Sequence, residues 1–205
     1  MAYASPSSDT TVHVHGYGSL ANWRTNPAVR NGQRAIMHGW RRAWAHDIKT
    51  QIGNVCALTI VPRADALVSG ILFSVPREHL FGLDERERGY RRIQIQSLEL
   101  EPPILLQQPI STAFAYTSPD GMSESHTHAF PIWRSYLECV LAGFLDVGGM
   151  PAVESFVAST VGWDTPLFDD SDDPKYPRYV RLERSVRNKV SEIIQGLSLR
   201  PFKER

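Results

Sequence analysis

Gly82-Leu83-Asp84-Glu85-Arg86-Glu87-Arg88-Gly89-Tyr90 follows an apolar, β-branched run at residues 66–75 that reads as a strand. The stretch is too polar for a core segment. It carries three carboxylates, Asp84, Glu85 and Glu87, within four positions. Like charges so close raise one another's pKa, and burial of one moves it toward neutrality, which suits a general acid/base. On this stretch alone, a solvated helix end neutralised by Arg86 and Arg88 is the competing reading.

Nearer the N-terminus, residues 11–15 alternate as a strand and run into Gly16-Tyr17-Gly18-Ser19-Leu20. Two glycines straight after a strand let the backbone turn tightly and present N–H groups to an anion. The third glycine of a dinucleotide fingerprint is absent, and no Gly-Lys-Ser/Thr follows as in a P-loop. Ser19 does not sit in a Gly-x-Ser-x-Gly elbow, which argues against a serine hydrolase.

These stretches, with Arg41-Arg42-Ala43-Trp44 between them, resemble the γ-glutamylcyclotransferase superfamily, its ChaC-like branch most closely. That branch carries a Gly-Tyr-Gly-Ser-Leu turn, an Arg-Arg-x-Trp segment and a Leu-Asp-x-Arg-Glu-x-Gly-Tyr stretch in this order. The resemblance implies an α+β fold, a small mixed β-barrel flanked by α-helices with a pocket at its mouth. It implies cyclisation of a γ-glutamyl group to 5-oxoproline with release of the γ-linked amine or amino acid. Glu87 is then the catalytic acid/base. The N–H groups of Tyr17, Gly18, Ser19 and Leu20 would cradle the substrate's α-carboxylate or an oxyanion, and Tyr90 would orient Glu87 or substrate. No cofactor or metal is needed, and the partner is a small γ-glutamyl compound. The chain departs from the branch in having one glycine before Tyr90, and in lacking the later segments that accompany glutathione use. A catalytically silent member that binds a metabolite or a protein partner is the alternative, and a lyase acting on a γ-glutamylamine is another.

The 205 residues suit a single domain over 11–205 behind a frayed, Ser/Pro/Asp-rich tail at 1–10. With 42% hydrophobic residues, the composition is not that of a disordered chain. Twenty-two basic and 22 acidic side chains give a net charge of zero, which argues against nucleic acid or an anionic membrane held by bulk electrostatics. Cys56 and Cys139 form neither a disulfide framework nor a zinc pattern, and both read as buried. No signal peptide or membrane-length apolar window is apparent, so a cytoplasmic protein is expected. His13-x-His15 and His126-x-His128 place pairs on shared faces, but with no third ligand at a meaningful spacing. The acidic run Asp169, Asp170, Asp172, Asp173 lacks calcium-loop spacing and reads as a solvated loop.

The remaining elements follow from periodicity. Strands are expected at 11–16, 34–44, 54–61, 66–75, 90–100 and 112–117, with a hairpin at Pro62-Arg63-Ala64-Asp65 and a turn at 118–121. Residues 22–33 read as a loop over the pocket mouth, 46–53 as a polar connection, and Trp44 as a possible pocket residue. A short helix is expected at 77–87. A long helix starts near Pro131 and stops at Gly148-Gly149, where Pro151 opens the next. Residues 161–179 read as irregular, and a last amphipathic helix spans Leu182 to Leu197. Strands first and helices later define the α+β class.

Overall fold

In the computed structural model, which describes residues 11–102, 110, 112–119 and 130–202, the apolar runs on either side of Pro62 belong to one strand, β3 (Gly53–Pro76). Both pair antiparallel with the same partner, β2 (Gln33–Thr50). The register jumps from Trp40↔Pro62 to His38↔Leu67, so residues 63–66 bulge out without reversing the chain. The expected hairpin fails there because polar punctuation marks an exposed bulge as well as a turn; residues 62–65 are all exposed. The reversal lies at Gln51-Ile52, between the paired Thr50 and Gly53. Thr50 Oγ1 closes it by donating to Gly53 O at 2.6 Å. Most of the expected polar connection at 46–53 is therefore strand, with Ile48 opposite Val55.

β1 (Thr11–Gly16) lies antiparallel to β3 and parallel to β6 (Ala113–Thr117). The single strand expected over 90–100 is two. β4 (Arg91–Gln94) joins β6, and β5 (Leu98–Leu100) joins β2, on opposite sides of the sheet. The alternation slips between Ile95 and Leu98, and that slip is where the chain changes edge. Among the described residues the order is β4-β6-β1-β3-β2-β5, with β8 (Thr160–Val161) also parallel to β2. The sheet curls into half a barrel, and among the described residues three helices complete the α+β fold. Val12, Val14, Met37, Ile60 and Phe73 are buried in its core, each side chain contributing about 1.5–3 kcal/mol of transfer free energy.

α1 (Leu80–Arg86) follows β3, and α3 (Arg184–Gly196) lies near the C-terminus. α2 (Arg134–Ser159) is two helices end to end: Gly148 and Gly149 leave helical geometry and Pro151 follows, as the sequence predicts. By length and composition α2 is apolar enough to cross a membrane, which corrects the expectation that no segment approaches this. Its Leu137, Val140, Leu141, Phe144 and Phe156 pack in the core. β7 (Ile132–Trp133) enters α2 and pairs with β9 (Leu167–Phe168). The expected tail at 1–10 lies outside the described residues, as do the end of the 118–121 turn and His126-x-His128.

Arg42, midway between the register shifts at His38/Trp40 and Trp44/His46 of β2, is fully buried. It donates to Ser69 O, and its Nη1 reaches Phe156 O at 3.5 Å and Thr160 Oγ1 at 3.4 Å. Its guanidinium lies over the rings of Phe156 and Phe144, at 4.6 and 5.2 Å. Burial pushes its pKa down to about 9. The side chain thus ties the second half of α2 to the sheet.

Candidate active site

The chain leaving β1 doubles back on itself. A Cβ on Gly16 would stand 2.9 Å from the Leu20 carbonyl carbon and 3.0 Å from Ala21 N, so a larger residue would push the turn apart. Residues Ser19–Ala21 make one 3-10 turn, with Ala21 N donating to Gly18 O at 2.9 Å and Asn22 N to Ser19 O at 3.2 Å. The N–H groups of Ser19 and Leu20 stand at its open start, and no described residue accepts from them. Asn22 Nδ2 pins the turn to α2 by donating to Cys139 O at 2.7 Å. Gly143 permits that approach, since a Cβ there would lie 3.0 Å from Asn22 backbone atoms.

Residues 22–33 are accordingly not a loop over the mouth. Asn22 and Asn26 are buried, and Pro27–Asn31 form a second 3-10 turn. What this segment offers the site is Thr25, whose carbonyl and hydroxyl accept from Arg86 at 2.6 and 3.2 Å.

Glu87 caps the C-terminus of α1, with its N–H on Leu83 O and its carbonyl taken by Tyr90 N. Leaving the helix at this point turns its side chain inward, where it is 13% exposed. The other two carboxylates are held elsewhere. Glu85 is half-exposed and accepts from Arg88 at 2.6 Å. Asp84 accepts twice from Arg92, at 2.8 and 2.9 Å, and once from the Tyr116 hydroxyl at 2.9 Å. Burial raises the Glu87 carboxyl above its ordinary range, while the charges of Arg86 and Arg178 oppose the rise. Arg86 Nε donates to Glu87 Oε1 at 3.0 Å, and Arg178 Nη2 donates to Arg86 O at 2.8 Å. Arg178 thus spends this donor on a backbone carbonyl and not on a carboxylate.

Glu87 faces a cavity of about 240 Å³, and Tyr17, Gly18, Ser19, Leu20 and Tyr90 share its wall. The sequence reading named all six. Arg86, Arg178, Leu58, Trp133, Tyr136 and Tyr176 also line it and were given no pocket role. Tyr136 sits at helical spacing in an apolar run, where it is indistinguishable from core. Tyr176-Pro177-Arg178 is an aromatic and a cation braced by proline in an aperiodic stretch, the one signal that pointed there. The phenols are spent on backbone: Tyr90 OH donates to Leu58 O at 2.9 Å, and Tyr17 OH donates to Tyr116 O. Leu58 N donates to Tyr136 OH at 3.4 Å. Burial raises all three far above their usual range, so they stay neutral, and that of Tyr176 is pushed up to about 12. Tyr90 therefore builds the wall and does not donate to Glu87.

Two other expectations change. Trp44 is fully buried and packs edge-on against Tyr136 and Trp163, at 5.7 and 5.6 Å, away from the cavity. Asp170 is not solvated: it is buried and accepts from Ser135 N at 2.8 Å and from Ser135 Oγ, at the start of α2. His15 is fully buried with Nε2 3.2 Å from Ala35 O, and burial lowers its pKa to about 4. Among the described residues no group of three His, Cys, Asp or Glu side chains is placed to hold a metal.

A family model described as ChaC-like protein matches residues 12–122. The fold is similar to a solved structure titled "Gamma-glutamyl cyclotransferase", with TM-score 0.55 and 14% identity, over 89% of this chain and 99% of that one. It is equally similar to an uncharacterized protein from Homo sapiens, with TM-score 0.56 and 15% identity over the same shares. No curated protein matches the sequence. At these identities the solved structures speak for the fold, and the family model speaks for descent.

Proposed function

The chain belongs to the ChaC-like protein family, and from that premise we propose that it is a γ-glutamylcyclotransferase with Glu87 as its general acid/base. The observation that carries this reading is a single inward carboxylate, raised by burial, in a cavity shared with an open-ended 3-10 turn.

The reaction is an intramolecular aminolysis. The α-ammonium of the γ-glutamyl group gives a proton to the Glu87 carboxylate. The freed nitrogen attacks the γ-carbonyl carbon, closing a five-membered ring and placing negative charge on the carbonyl oxygen. Collapse breaks the bond to the γ-linked nitrogen, which takes the proton back from Glu87, and the regenerated carboxylate then carries the ring nitrogen's second proton to the released amine. The products are 5-oxoproline and the free amine, with no water consumed. Ring closure supplies proximity, so the protein's task is to hold the bent conformer and to pass two protons in turn from the attacking nitrogen to the leaving one. The free N–H groups of Ser19 and Leu20 are suited to the α-carboxylate. Arg178, which lines the same cavity and has no carboxylate partner among the described residues, adds positive charge there.

Arg86 Nε donates to Glu87 Oε1, so in this reading the other carboxylate oxygen takes the substrate's proton. A carboxyl raised by burial shuttles protons more readily than one near its ordinary value. The test is release of 5-oxoproline from a panel of γ-glutamyl compounds, followed chromatographically. Turnover that disappears with Glu87→Gln is expected. No turnover on any compound, with a ligand-dependent rise in melting temperature, would favour the silent binding reading.

A further inference from the structure

The cavity has two unlike halves. At the level of Leu58, Tyr90 and Tyr136 bond to its backbone, and a Cβ on Gly18 would sit 3.4 Å from its Cδ1. This is the half that holds Glu87 and Arg178. From Leu58 the strand continues through Ala57 to Val55, about 10 Å on at roughly 3.3 Å per residue, and then toward the β2–β3 turn. Val55 stands opposite Ile48, and the Trp133 ring comes to within 3.4 Å of where a Cβ on Gly53 would lie. Ile48, Val55, Ala57 and Trp133 thus wall the outer half, with the exposed Thr50 at its rim.

No charged side chain faces this outer half from the ribbon. Asp47 and Lys49 alternate to the other face of β2 from Ile48. His46 is stacked edge-on against Tyr90 at 4.5 Å. Arg88 borders the cavity, but it is 80% exposed and its charge is already paired with Glu85 at 2.6 Å. A carboxylate placed between Ile48 and Trp133 would lose water without gaining a partner, whereas each methylene placed there improves binding about fourfold.

Resting on the cyclotransferase reading, we propose that the amine released is apolar: the γ-glutamyl head occupies the Glu87 half, and an aliphatic or aromatic group without a carboxylate fills the outer half. The bond broken is the γ-carbonyl to nitrogen bond of an amide R–NH–CO–, and R–NH₂ leaves with the proton Glu87 returns. The supplying reaction must then join the γ-carboxyl of glutamate to a hydrophobic amine.

The experiment compares kcat/KM for the γ-glutamyl amides of isobutylamine and phenethylamine with those for γ-glutamylglycine, γ-glutamylglutamate and glutathione. The apolar amides are expected to lead by at least tenfold. Ile48→Arg, at a partly exposed position that tolerates a charge, is expected to narrow or reverse that lead by favouring γ-glutamylglutamate. Equal or better turnover of the carboxylate-bearing substrates by the unaltered protein would overturn the proposal and leave the cyclotransferase reading standing. Absence of 5-oxoproline from all five would overturn both.

Discussion

Replacing Glu87 by glutamine separates the chemistry of this side chain from its packing. Gln matches it in shape and keeps an oxygen to accept from Arg86 Nε, now 3.0 Å away, so the junction between α1 and Tyr90 stays intact. What is lost is proton transfer. A general acid/base contributes about 10²–10⁴-fold, so turnover falls at least ~100-fold, about 2.7 kcal/mol of barrier. Stability moves the other way. The carboxyl is raised by burial, so the native state binds more protons than the unfolded chain once pH exceeds the ordinary carboxylate value. Stability is therefore lost as pH rises through the interval between the two values. Glutamine carries no such penalty. The variant should melt at or above the parent temperature at pH 7, and the difference should vanish near pH 4. Glu85→Gln, at a half-exposed position engaged by Arg88, is the control and should leave turnover within a factor of about two. The assay is 5-oxoproline release with thermal melts at both pH values. Full activity in Glu87→Gln, loss confined to Glu85→Gln, or a lower melting temperature at pH 7 would refute the reasoning.

Arg178→Met should raise the Glu87 carboxyl further, since its charge opposes the effect of burial; the acidic limb of kcat/KM then moves to higher pH, and Arg178→Lys should move it back. Gly16→Ala places a carbon 2.9 Å from backbone of Leu20 and should destabilise by about 1–3 kcal/mol, with more than tenfold loss of activity; parent-like melting and turnover would show that the turn does not depend on this glycine. The Cys139 thiol is pushed up to about 12 by burial and that of Cys56 is raised for the same reason; mass spectrometry should find neither alkylated by iodoacetamide at pH 8 until the protein is unfolded.

The half of the site that is local in sequence was legible. A glycine pair after a strand and a clustered set of carboxylates each carry their chemistry within a few residues, and Tyr17 to Leu20 and Glu87 do meet in one cavity. The other half depends on tertiary contacts. Tyr136 obeys helical periodicity whether or not it also borders a cavity, and Arg178 lies where no period exists to place it. Trp44 misled because a register shift separates it from His46: before the shift the strand feeds the core against Trp163, and after it Ile48 and Thr50 reach the cavity. Likewise, Pro62 to Asp65 carries turn chemistry, yet β2 continues past it and pairs with both flanking runs. Pairing with a distant partner outweighed local punctuation at that point.

The cavity wall is assembled from positions 17 to 178, and the order of those pieces sets a timetable. Once residue 117 has been made, the ribbon, the turn and Glu87 all exist, but Tyr136, Tyr176 and Arg178 do not. At about 5–20 residues per second, the intervening 60 or so residues take roughly 3–12 s to synthesise. Through that interval the concave face around Val55, Ala57 and Leu58 has no helix to cover it, and a growing chain presents it to whatever apolar surface is near. A nascent polypeptide stalled after residue 117 is therefore a candidate for chaperone capture, and the cleft closes around its carboxylate only when the last third of the protein arrives.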